Sequence, residues 1–395
     1  TELNRKTDKK VVIYDTPDGI ELPTNTKFKA ALTDDPKVNE YDRMEYKYDN
    51  YFPILSFGST VDDGFFLGAG VTFTRYGFRK EPYKAKHRFF FQFSTQTDAF
   101  RFAYSSDFTE KLIGGINFNP SINFDRPFIY NFYGLGNATQ ILSDDEQFHQ
   151  IRLKRFSVEP MFKKVWKKRE NQTRFGPFFE NVIVERRAGR VSDVEGFLRD
   201  ADRGNKSFLG FKADHQFTTL DDQNFPEKGM RYNAKFTYYH NLEEEQAYAR
   251  LEGSLSNFFH TDQPFPMTLG SRIGGATLSD DNYYFFHNNN LGQNNYLRGF
   301  RNNRYAGTHI VYHNIDVRIP LFYFQNHLAP GEVGFLASFD YGKVWYQKDA
   351  PNNWKSSISG GIWWAPYRFT AINVFYTKTG NGEQNTFTLR TGFFF

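Results

Sequence analysis

Residues 65–73 read Phe65-Phe66-Leu67-Gly68-Ala69-Gly70-Val71-Thr72-Phe73. The odd positions are Phe65, Leu67, Ala69, Val71 and Phe73; the even ones are Phe66, Gly68, Gly70 and Thr72. Successive side chains of a strand point to opposite faces, so this stretch is a strand with one unbroken apolar face. The same alternation recurs in both directions. Phe89, Phe91 and Phe93 oppose Arg88, Gln92 and Ser94, and Phe100, Phe102 and Tyr104 oppose Arg101, Ala103 and Ser105. Tyr232, Ala234, Phe236 and Tyr238 oppose Arg231, Asn233, Lys235 and Thr237, and the pattern runs to Phe387, Leu389, Phe393 and Phe395 at the end.

A soluble sandwich also alternates, but its strands average about five or six residues, whereas many of these run to ten or more. Their polar face carries Arg, Lys and Glu among glycines, as a wide aqueous lumen requires. Composition agrees. The 395 residues include 46 Phe, 24 Tyr and 5 Trp, yet only 39% are hydrophobic. Transmembrane barrels combine these properties because only one face of each strand meets lipid. No run of about 18 apolar residues is present, which excludes a helical membrane protein. Aromatic richness excludes disorder. The absence of Cys excludes disulfides and thiol chemistry. A net charge of +4 from 49 basic and 45 acidic residues argues against nucleic acid as a partner. No apolar signal segment follows Thr1, so the chain reads as mature or truncated.

The fold expected is all-β, a 16-stranded antiparallel transmembrane β-barrel over 51–395 with a long extracellular loop folded into the lumen. Residues 1–50 are expected to form a polar periplasmic linker or the remnant of a preceding domain. The strands fall near 51–59, 65–76, 87–97, 99–108, 112–124, 148–160, 174–185, 206–218, 230–240, 246–258, 265–274, 309–321, 332–342, 356–364, 369–377 and 386–395. The even count places both ends on the periplasmic side. The long stretches 125–147, 186–205 and 275–308 then all lie on the outer side.

The connection 275–308 contains Tyr296-Leu297-Arg298-Gly299-Phe300-Arg301. In the strand after it, alternation sends Asn314, Asp316 and Arg318 inward, and in the next it sends Asp340 inward. A carboxylate inside a barrel is costly unless paired or wet, and a loop delivering Arg298 would form charge-assisted bonds to it. Spacing alone leaves this reading level with a solvated extracellular loop.

Leu297-Arg298-Gly299-Phe300 resembles the (V/L)-R-G-(F/Y) signature of the BamA/TamA superfamily of outer-membrane assembly factors, the bacterial surface antigen family. There the signature lies in an inward-folded loop between the eleventh and twelfth strands. Asp316-Val317-Arg318-Ile319-Pro320-Leu321 is similar to the family's acidic-x-R-(F/I)-P-L stretch, and Phe339-Asp340-Tyr341-Gly342 to its F-x-D-x-G motif. Asp222, Asn224, Pro226 and Gly229 resemble its D-x-N-x-x-P-x-x-G turn. The resemblance implies that Arg298 contacts Asp316, Asp340 or both. It also implies a working seam between the first and last strands, here Tyr51, Pro53 and Leu55 against Leu389, Phe393 and Phe395. The first strand is expected to be short, with Pro53 removing one ladder donor. Implied partners are outer-membrane lipid, unfolded outer-membrane protein clients, and periplasmic or lipoprotein accessory subunits.

Fifty polar residues are too few for the POTRA domains of such factors. Asp62-Asp63-Gly64-Phe65-Phe66-Leu67-Gly68, Gly77-Phe78-Arg79-Lys80 and Asn131-Phe132-Tyr133-Gly134-Leu135-Gly136-Asn137 look like relatives whose barrel follows a calcineurin-like phosphoesterase domain. A membrane anchor for such a domain is therefore a second reading, and a passive pore a third. No catalytic, metal or cofactor site is expected. His309 and His313 lie roughly 13 Å apart on one strand face, no G-x-S-x-G elbow occurs, and no phosphate loop is present. Gly134, Gly136, Gly274 and Gly275 read as bends or as room for an inserted loop.

Overall fold

The computed structural model describes residues 11–19, 28–34, 36–40, 43, 47–60, 64–78, 82–95, 99–109, 115–145, 147–166, 171–293, 296–327, 329–347, 353–368, 370–380, 382 and 385–395. Asp62, Asp63, Arg79 and Lys80 lie outside them, as do residues 1–10. Sixteen strands form one sheet in chain order, each antiparallel to the next. They are β1 Asn50–Thr60, β2 Gly64–Arg75, β3 Ala85–Ser94, β4 Phe100–Phe108, β5 Ile116–Asn131, β6 Gln150–Val165, β7 Asn171–Glu185 and β8 Gly204–Thr218. The second half comprises β9 Gly229–Asn241, β10 Ala247–Thr261, β11 Met267–Leu278, β12 His309–Phe324, β13 Gly331–Trp345, β14 Lys355–Pro366, β15 Ile372–Thr379 and β16 Asn385–Thr391.

Every strand expected from alternation is present, with four departures. β5 continues past 124 to Asn131, because an irregularity between Asp125 and Phe128 shifts its register and hides the continuation from a strict period of two. β6 likewise runs on to Val165. β1 is not short: it has 11 residues, and the short member of the seam is β16 with seven. β16 ends at Thr391 because Gly392 takes φ 76° and turns the chain out of the sheet. Phe393 and Phe395 therefore leave the lipid face and turn inward. The Phe393 ring packs on Phe225 at 4.9 Å and Trp363 at 5.9 Å, and Phe395 packs on Phe258 at 5.8 Å.

Among the described residues of 1–50 there is one two-stranded element. Val11–Asp15 pairs in parallel with Phe28–Leu32. The two apolar runs are too short to read as strands alone and hold together only as a pair.

The outer face of the sheet carries exposed apolar side chains such as Leu269, Ile273, Val311, Phe335, Phe339 and Val374. Facing the lumen are ion pairs that cross the wall: Arg101–Asp125, Lys163–Asp107, Lys212–Glu159, Arg174–Asp214 and Lys235–Glu252. At one end the connections 132–149, 186–203 and 279–308 close over the lumen. Tyr283, Tyr284, Phe285 and Phe286 of the third connection are buried against Tyr130, Val182, Phe208, Tyr239 and Tyr248, which come from β5, β7, β8, β9 and β10. One segment can touch five strands only if the sheet curves around it.

Candidate functional site: the lumen tongue and the seam

The tongue, residues 279–308, runs from the end of β11 into the lumen and back to β12. Arg298 sits at its tip and is 2% exposed. Its Nε donates to Asp340 Oδ2 at 2.7 Å and its Nη2 to Asp340 Oδ1 at 2.6 Å, a two-toothed grip of the kind guanidinium and carboxylate geometry favours. The backbone amide of Arg298 adds a third bond to Asp340 Oδ2 at 3.1 Å, and Nη1 donates to Ser338 Oγ at 2.9 Å. Nη2 also lies 2.7 Å from Asp316 Oδ1, an ion pair whose angle falls outside hydrogen-bonding range. Asp316 and Asp340 arrive from β12 and β13 because Ile315, Val317 and Phe339 occupy the alternate, outward positions. Burial disfavours the Arg298 charge, but Asp316 and Asp340 outweigh it and hold the guanidinium well above its ordinary range.

Neighbouring residues make the grip specific. Asn314 Nδ2 donates both to Asp340 Oδ1 and to the Tyr296 carbonyl, each at 2.8 Å, tying the loop backbone to the wall. Tyr296 stacks on Tyr312 with centroids 3.8 Å apart. Gly274 leaves the room Tyr312 needs, since a Cβ there would overlap the phenol. Gly299 is at φ 83°, and a Cβ on it would lie 2.5 Å from Thr377 Cγ2, so glycine is needed both for conformation and for space. Leu297 and Phe300 are buried with Leu291, Tyr305, Ile310 and Val344. Gly342 makes room for Leu291, whose Cδ1 would be 2.9 Å from an added Cβ. Gly134 and Gly136 are bends at positive φ. Phe339 stands apart from the tongue on the apolar exterior.

Asp222, Asn224, Pro226 and Gly229 come together in the turn between β8 and β9. Asp222 Oδ1 accepts from the amides of Asn224 at 2.7 Å and Phe225 at 2.9 Å. Gly229 at φ 103° closes the turn against the Thr219 carbonyl. The result pushes Phe225 into the lumen mouth, where Trp363 and Phe393 cover it.

The alternation did not reveal a second anchor at the capped end. His287 Nε2 meets Glu180 Oε2 at 2.8 Å, and its Nδ1 meets the Tyr248 hydroxyl at 2.5 Å. Burial lowers the His287 pKa below 6.5, against the opposing pull of Glu180. The neutral ring donates to Glu180 and accepts from Tyr248. The aromatic run Tyr283–Phe286 in an otherwise Asn- and Gly-rich loop was the available signal for this packed cap. Among the described residues, no group of three His, Asp or Glu side chains could hold a metal.

At the seam, no ladder joins β1 to β16 among the described residues. Tyr51 and Leu55 are 71% and 81% exposed, and Phe387 and Leu389 are 81% and 72% exposed, against 38–65% for Val311, Ile273, Ile358 and Phe259 in the paired wall.

The Omp85 superfamily domain matches residues 14–374. Among solved structures, this chain is similar to BamA from Haemophilus ducreyi lacking POTRA domains 1–3, at 12% identity and TM-score 0.61, covering 87% of this chain and 68% of that one. It is also similar to CdiB from Escherichia coli, at 12% identity and TM-score 0.55, and to CdiB from Acinetobacter baumannii, at 10% and 0.51. Each covers 87% of this chain, which in turn spans only 62% and 58% of those proteins. At these identities the likeness concerns the fold. Curated protein sequences give no significant match.

Proposed function

The chain belongs to the Omp85 superfamily of bacterial outer-membrane barrels, and on that premise we propose that it assists insertion or translocation of proteins through the seam between β1 and β16. The observation carrying this reading is the pair of strand edges that, among the described residues, lack a ladder partner, where Leu55 at 81% and Leu389 at 72% exceed the most exposed outward side chains of the paired wall, Phe259 at 65% and Ile358 at 64%. In hydrocarbon each unpaired backbone group costs several kcal/mol. An incoming client strand that supplies those bonds is strongly driven to pair by β-augmentation. Pro53 leaves β1 one donor fewer than a complete edge, which favours exchange of partners over permanent closure. The seven-residue β16 keeps the alternative self-pairing short. In this reading the capped end faces the exterior, the N-terminus faces the periplasm, and the tongue keeps the lumen from acting as a free pore while the seam works.

The test uses Cys introduced at Leu55 and Leu389, in a chain that has no native Cys. Oxidation that locks the pair should abolish client insertion into proteoliposomes, and reduction should restore it. Undiminished insertion by the locked protein refutes the seam mechanism.

A further inference from the structure

Beneath the tongue, at the uncapped end, lies a cavity of about 370 Å3 between the β8–β9 turn and the C-terminal residues 392–395. One wall carries Arg231, Asn233, Ser256 and Arg272, inward positions of β9–β11, and the facing wall carries the rings of Phe394 and Phe395. No Asp or Glu side chain lines it. Elsewhere in the lumen Lys163, Lys212, Lys235 and Arg174 each meet an acid. Among the described residues, neither Arg231 nor Arg272 has one within salt-bridge distance. Arg231 Nη2 donates to Gln223 at 3.1 Å, while its Nε is buried with no hydrogen-bond partner. Arg272 is held by Asn314 Oδ1 at 3.0 and 2.8 Å, and its guanidinium lies 4.9 and 4.8 Å from the Phe394 and Phe395 ring centroids.

An orphaned buried donor on a cation carries a desolvation cost that nothing in the chain offsets. Arg231, and Arg272 whose donors reach only the neutral Asn314 amide and Phe394 carbonyl, face one concavity and focus a positive potential into it. The volume falls in the range of small-molecule sites, about 300–1,000 Å3. We propose that this cavity binds an organic oxyanion, a carboxylate or phosphate carried on a small apolar body. The oxyanion takes the free Arg231 Nε–H and the field of Arg272, and the apolar body lies against the phenylalanine wall. The site is separate from the seam and does not depend on the insertion mechanism.

Titration calorimetry on the full chain in dodecyl maltoside, with inorganic phosphate, phenyl phosphate and phenylacetate, tests this. Saturable binding of at least one phenyl-bearing anion is expected, tenfold or more tighter than inorganic phosphate, and whichever of the two binds better identifies the oxyanion. Arg231→Gln should weaken it tenfold or more, whereas Arg174→Gln, two strands away on β7 and paired with Asp214, should leave it unchanged. Asn233→Asp, which places a competing carboxylate on the same wall, should abolish binding and serves if Arg231→Gln does not fold. No saturable heat with any probe, equal affinity for inorganic and phenyl phosphate, or unchanged affinity in a folded Arg231→Gln or Asn233→Asp protein overturns the proposal.

Discussion

Replacing Arg298 by Ala should release the tongue. Arg298, Asp316 and Asp340 have side chains only 2%, 2% and 1% exposed, so the substitution leaves two carboxylates buried without their cation. Removing one partner of a buried pair costs about 3–5 kcal/mol, mostly the penalty of the stranded charge. The barrel wall does not bear that cost, because its ladders are independent of the tongue; undocking of the tongue relieves it by letting water reach the acids. At a factor of ten per 1.4 kcal/mol, the undocked population rises by roughly 100- to 4,000-fold. Single-channel recording in planar bilayers reads this directly. The native protein should show small, flickering currents, and Arg298→Ala should show a larger and longer-lived open level. Asp340→Asn should approach that behaviour, because Asp340 takes three of the Arg298 bonds. Asp316→Asn should do less, since it offers an ion pair without an aligned hydrogen bond. Arg298→Lys keeps the charge but not the fork, so it should fall between native and Ala. Currents from Arg298→Ala matching the native protein in size and open time would refute the idea that this triad holds the plug.

Gly299→Ala should also undock the tip, since the new methyl is both strained at φ 83° and pressed onto Thr377 Cγ2; adding Thr377→Ala should recover part of the closed-state conductance by clearing space, and no recovery would point to the backbone alone. Lowering the pH should loosen the cap. The folded pKa of His287 lies below 6.5, so the undocked form binds the extra proton. Stability is full above pH 6.5 and declines as the pH falls toward the folded value, and amide exchange of residues 283–288 at pH 7.5 and 5.5 should show it, with His287→Gln removing the difference. Asp222→Ala removes two amide bonds from the β8–β9 turn and should cost about 1–2 kcal/mol; fluorescence should report Trp363 losing its contact with Phe225.

The wall was legible because it follows from a period of two, which also sends the two acids inward; that Arg298 reaches them was implied by the family resemblance, since spacing left a solvated loop equally open. Once Val311, Ile315 and Val317 were assigned outward, Asn314, Asp316 and Arg318 had to point inward. Four features escaped for physical reasons. Phe393 and Phe395 keep the alternation of Phe387 and Leu389, but one glycine in the left-handed region turns them away from lipid, and alternation carries no information about φ. The irregularity after Asp125 moved Tyr130 to the opposite phase. Val11–Asp15 needed Phe28–Leu32 beside it before either read as a strand. The Glu180–His287–Tyr248 network joins residues more than 100 positions apart at its extremes, a proximity set by barrel curvature and not by local pattern.

The most direct measurement of the central claim is photo-crosslinking in the native outer membrane, with a photoreactive residue placed singly at Leu55 or Leu389 and, as wall controls, at Ile273 or Ile362. The account predicts that positions 55 and 389 capture the strands of newly made outer-membrane proteins while 273 and 362 capture only lipid. The same products at all four positions would contradict it.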